Sequence, residues 1–140
     1  MFHRSTNSRR RRLGDRRGMT TVELALVSPL LFSFFFASIE FARANQIMNA
    51  TANAAYQGCR AAIIPGATAT TINNAVQKML AAGLITGQTV TINPSAITNA
   101  TSTVTVTITV PMNSNTWLGQ VYMNNKTVVR SCTLTREKTN

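Results

Sequence analysis

With 140 residues, 44% of them hydrophobic and only 13% charged, the chain has room for one small domain and is too apolar to read as disordered along its whole length. Its formal net charge of +10 falls unevenly: residues 1–18 hold half of the 14 basic residues, and from Met19 onward seven basic residues meet three acids, a net of +4. After Met19 there is no His and no Asp, and Glu23, Glu40 and Glu137 are far apart, which disfavours a metal site, paired carboxylates or a nucleophile–base set and so argues against an enzyme.

Residues 1–18 read as a basic leader peptide. They carry Arg4, Arg9, Arg10, Arg11, Arg12, Arg16 and Arg17, with His3 and Asp15. Such a run has two readings, a nucleic-acid or nuclear-targeting patch and a topogenic signal that keeps basic residues on the cytoplasmic side of a membrane. The run abuts an apolar stretch, which favours the second. No basic stripe with interleaved aromatics follows it, so nucleic acid is not an expected partner.

From Leu24 to Ile39 sixteen residues pass without a charge, and Met19 to Ile39 makes 21 residues with one acid inside. At about 1.5 Å per residue this length crosses a hydrocarbon core of roughly 30 Å. The competing reading is a secretory signal peptide cut at Ala42-Arg43-Ala44, although such peptides usually have a shorter apolar core. Residues 19–64 are expected to form one long transmembrane and stalk helix. In its second half Ala44, Met48, Ala52, Ala55, Cys59 and Ala62 make an apolar stripe, Glu40 and Arg43 can pair at the membrane boundary, and Pro65-Gly66 stops the helix.

Residues 65–140 are expected to form a small exported α+β domain. A short helix is capped by Thr68, Thr70 or Thr71, buries Ile72, Val76, Met79 and Leu80, and ends at Gly83. Strands follow at Thr89–Ile92, at Thr103–Val110, whose strict Thr/Val alternation marks a half-buried antiparallel strand, and at residues 127–135. In the loop between the last two, Trp117, Leu118 and Tyr122 are candidate packing residues. A piece of about 75 residues is marginally stable alone, so the stalk stripe is expected to complete its core. Cys59 and Cys132 make one possible disulfide in an exported domain; the alternative is two buried free thiols. Closing so long a loop would contribute about 4 kcal/mol in the chain-entropy model.

The most informative string is RRGMTTVELALVSPLL. Basic residues precede Gly18, and Glu23 is the fifth residue of the apolar helix that follows. An ionised carboxylate there costs roughly 2.5–3.5 kcal/mol on insertion scales. A cut after Gly18 would give Met19 a free, charged amine within about one helical turn of Glu23, able to neutralise it within a subunit or between neighbours. The bland alternative is an interfacial acid favoured by the helix dipole. Pro29 is tolerated in a membrane helix and can bend it, with Ser28 and Ser33 placed to bond freed backbone groups.

Gly, four residues, then Glu at the head of an apolar helix resembles the prepilin peptidase motif of type IV pilins. The wider string, with Val22-Glu23-Leu24-Ala25-Leu26, Pro29 and Ile39-Glu40-Phe41, is similar to the TadE-like minor pilins or pseudopilins of tight-adherence (Flp, type IVb) pilus systems. Leu24 stands where that family often has an aromatic. The resemblance covers about residues 14–43. It implies a pilin-like structural or assembly component, cleaved after Gly18, with Met19 as the mature N-terminus. The implied partners are prepilin peptidase, other pilin subunits, the inner-membrane assembly machinery and the lipid bilayer. The implied location is the bacterial inner membrane, with the leader in the cytoplasm and the domain outside. No cofactor is implied. The alternative is an uncleaved single-pass protein whose exported domain binds a partner.

Overall fold

The structure, a computed structural model, describes residues 14–98, 101–117 and 123–136, with side chains from Gly18 onward. The arginines before residue 14 and the expected packing residues Leu118 and Tyr122 lie outside the described residues. Among the described residues two helices precede three strands: α1 (Gly14–Ala62), α2 (Ala69–Ala82), β1 (Thr89–Asn93), β2 (Thr103–Pro111) and β3 (Thr127–Thr135). The fold is α+β, as expected. The contacts divide the chain into two compact units, one before Phe36 and one from Phe36 on.

The first unit is the apolar half of α1. The helix begins at Gly14, earlier than expected, so Gly18 lies inside it. Leu24, Leu26, Leu30, Leu31, Phe32, Phe34 and Phe35 are all exposed. The most apolar window of this helix has a mean hydropathy of 2.0 and none of it is buried within the chain. Each such Leu or Phe left in water forgoes about 1.5–3 kcal/mol of burial. Length, composition and this exposure fit a single-pass membrane anchor. Pro29 sits within the continuous helix. Lacking an N–H, it leaves the Ala25 carbonyl without its usual donor. The two serines do not take that carbonyl: Ser28 Oγ donates to Leu24 O at 2.6 Å and Ser33 Oγ to Pro29 O at 2.8 Å. These are back-bonds to position i−4, of the kind that often bend helices.

The second unit has its core between the other half of α1, helix α2 and one face of the sheet. The stripe on α1 is Ala44, Ile47, Thr51, Ala54, Ala55, Cys59 and Ala62, all buried. It differs from the expected stripe at Ala52, which is exposed, and at Met48, which is half-buried. Thr51 enters in place of Ala52 because its hydroxyl donates to Ile47 O at 2.7 Å. With that group satisfied, the side chain packs like an apolar one. Gly58 permits the closest approach. A Cβ there would stand 2.7 Å from Val76 Cγ2 and 3.2 Å from Val106 Cγ1, so α1 can lie on α2 and β2 only without a side chain at this position.

Helix α2 is capped by Thr68, whose hydroxyl accepts from Thr71 N, and it buries Ile72, Val76 and Leu80. The sheet order is β1-β2-β3, antiparallel throughout. In register, Ile92 pairs with Val106 and Val106 with Cys132, while Val104 pairs with Leu134 and Val110 with Val128. This puts the apolar residues on the helix-facing side. The other side is mostly threonine, where the Thr105 and Thr133 hydroxyls meet at 2.8 Å. The core therefore borrows its central helix from α1, and residues 65–140 supply the rest.

Candidate functional site

The head of α1 carries the residues singled out for processing and pairing. Gly18, Met19, Val22, Glu23 and Leu26 line one shared face, as helical spacings of three and four residues require. A Cβ added at Gly18 would meet nothing within 4 Å. The fold of the free chain therefore sets no limit on side-chain size there. Met19 and Glu23, one turn apart, are both exposed.

Where the uncharged run ends, the helix changes character. Glu40 is 1% exposed, and Arg43 is half-buried and heavily bonded. Its Nε donates to Asn115 O at 3.0 Å. One terminal nitrogen donates to Gly83 O at 3.1 Å and Gln46 Oε1 at 3.0 Å, and the other to Leu84 O at 3.1 Å. Gly83 and Leu84 follow α2, whose own last turn has no basic residue. Arg43 thus brings to that helix end, from another element, the cation that its carbonyls and dipole favour. These bonds tie Arg43, expected to pair with Glu40 at the membrane boundary, to the folded domain.

Asn115 completes this junction, and nothing in the sequence marked it. It is 6% exposed. Its Oδ1 accepts from Thr86 N at 2.8 Å, and its Nδ2 donates to Thr86 O at 2.8 Å and Pro111 O at 2.7 Å. One side chain thereby copies a strand-like pairing and joins the segment after α2 to the end of β2. Trp117, two residues on, was expected to pack but is 80% exposed.

Cys59 and Cys132 are brought together, as free thiols. The Cys59 thiol donates to Cys132 O at 2.9 Å. Burial, reinforced by the neighbouring Cys132 side chain, pushes the Cys59 thiol up to about 12. Such a thiol stays protonated and unreactive at neutral pH.

An apolar half-helix headed by Gly18 and Glu23, running on into a buried half that bears Arg43 and Cys59, can now be compared with known proteins. Residues 18–60 match the family model of TadE-like proteins. No curated protein and no solved structure matches the chain. The TadE-like match begins at Gly18 and stops two residues short of the end of α1. It runs past residue 43, where the sequence resemblance ended, through Thr51, Gly58 and Cys59. The TadE-like segment is therefore the α1 helix, both its exposed apolar half and its buried half. The family links this segment to tight-adherence pilus systems and, in general terms, to the components that assemble them.

Proposed function

We propose that the protein is a minor pilin or pseudopilin-like component of a tight-adherence (type IVb) pilus, cut after Gly18 by prepilin peptidase. The observation that carries this reading is the division of labour within one TadE-like helix: one half has its apolar side chains unburied, and the other half is the core of a folded domain. In the proposed mechanism the basic leader stays cytoplasmic, α1 inserts in the inner membrane, and the peptidase removes the leader there. The new amine at Met19 then meets Glu23 of its own or a neighbouring chain as apolar helices bundle. The face shared by Met19 and Glu23 supports such pairing. The remaining steps, incorporation into an envelope-spanning pilus and a role in adhesion, follow from the family reading.

Ordinary secretion fits less well. A signal-peptide cut at Ala42-Arg43-Ala44 would remove Glu40 and Arg43, both built into the domain. The deciding measurement is the mass or N-terminal sequence of the protein from native membranes. A chain starting at Met19 is expected. One starting at Met1 would replace the proposal with an uncleaved anchor whose domain binds a partner, and one starting near Asn45 would replace it with secretion.

A further inference from the structure

The second unit keeps several large apolar side chains out of its own core, and they gather at one level. Trp117 and Leu84 are each 80% exposed. They line a groove of about 460 Å³ together with Ile39 and Ala42 of α1. A second, smaller hollow, also lined by α1, lies between Phe41, Met112, Met123 and Lys126. Phe41 is itself 62% exposed. Leu84 is held with φ at 53°, a left-handed conformation that a leucine adopts only when its surroundings impose it. Here Arg43 bonds the Leu84 carbonyl.

The level is set by the sequence. Ile39 is the last residue of the uncharged run, and Phe41 and Ala42 lie within one helical turn beyond it. At about 1.5 Å per residue, positions 40–45 span the few ångströms that separate hydrocarbon from water in a bilayer's headgroup zone. Tryptophan concentrates in that zone because its ring is apolar while its N–H needs a polar partner. Lysine suits the same depth, laying its stem on apolar surface and its ammonium among phosphates.

From this coincidence we infer that the groove bearing Trp117 and Leu84, at the level of Phe41 along α1, rests in the headgroup region of the bilayer and fixes the domain against the membrane surface. The inference depends on α1 spanning the membrane, as proposed above. The occupant is the lipid interface, because the groove takes in Ile39, the last residue of the apolar run.

Trp117 is the only tryptophan in the chain, so its fluorescence reports this one position. The test uses the full chain in phosphatidylcholine vesicles whose acyl chains carry bromine either near the headgroup or near the bilayer centre. A second protein, F32W/W117F, moves the reporter into the apolar run. Trp117 emission is expected to shift to the blue and to lose more intensity to shallow bromine than to deep bromine. F32W/W117F should show the reverse depth preference. Trp117 emission that stays water-like, is quenched by aqueous iodide and ignores bromine would overturn the inference. So would a blue shift without bromine quenching that disappears on dilution with lipid, which would assign the face to a second copy of the chain. If F32W/W117F also ignores bromine, the spanning helix itself is refuted; if it is quenched while Trp117 is not, only the interfacial contact fails.

Discussion

Arg43 donates to the main-chain carbonyl of Asn115 at 3.0 Å across 72 residues of sequence. Through the Gly83 and Leu84 carbonyls the same guanidinium also holds the end of α2. One planar group with several fixed donors thus joins three segments just beyond the apolar run, and a compact ammonium cannot reproduce that fork. Arg43→Ala is expected to destabilise the domain by about 2–4 kcal/mol, the scale of losing charge-assisted bonds to partly buried carbonyls. Arg43→Lys should recover less than half of this. Chemical denaturation followed by circular dichroism measures both, and an unchanged midpoint for Arg43→Ala would mean that water satisfies those carbonyls equally well.

Gly58 tests the contact between α1, α2 and β2. Alanine has the better helix propensity by about 1 kcal/mol, which alone would stabilise α1. The added Cβ would press on Val76 Cγ2 and Val106 Cγ1, and overpacking of this kind costs about 1–3 kcal/mol. A β-branched valine has little freedom to withdraw, so Gly58→Ala should be a net loss. Combining it with Val76→Ala should cost less than the sum of the two single changes, because the deleted methyls make room for the new one. Additive losses would show that the helix contact is not the limiting one.

The paired thiols give a pH dependence whose sign follows from burial. The Cys59 thiol is raised to about 12, above the roughly 8.5 of an unfolded cysteine. A raised acid favours the folded state fully while both forms stay protonated, and that contribution is lost as pH rises from about 8.5 through 12. Stability should therefore be flat in this respect below pH ~8 and fall above about pH 9, with Cys59→Ala removing part of the fall. At pH 8 a maleimide should label half-buried Cys132 well before Cys59. Equal labelling rates in the folded protein would contradict the buried placement.

Processing and assembly should separate at Gly18 and Glu23. Because a side chain at Gly18 meets nothing in the chain itself, a bulky substitution should leave the fold intact. Any block in maturation would then report the peptidase site. Gly18→Ala should largely be processed and Gly18→Phe should not, as read by the precursor-to-mature mass shift. Glu23→Val should be cleaved normally yet enter pili poorly; normal incorporation would remove the pairing role.

The elements were legible where one residue type repeats with one period. Residues 127–135 were expected as a strand and form β3, the Thr/Val alternation of residues 103–110 became β2, and Gly83 follows α2 as anticipated. Reading failed where a polar residue takes an apolar place or the reverse. Thr51 replaced Ala52 in the stripe because a local hydrogen bond hid its hydroxyl, which a scan for apolar residues cannot register. Trp117, a candidate packing residue of its loop, lies on the surface. Asn115 gave no signal, since its role depends on Thr86 and Arg43 arriving from distant parts of the chain. Gly58 was detectable in principle: with Thr51, Ala55 and Ala62 it keeps the spacing of three and four that marks a buried face.

The shared helix also determines which fragments of this protein can be studied. A soluble piece beginning at residue 66 would retain α2 and the three described strands, yet the strands would lose the α1 side of their core, because Ile47, Ala55, Gly58 and Cys59 would be gone. A piece beginning near Phe36 would keep that surface and Arg43 while discarding the apolar half of α1.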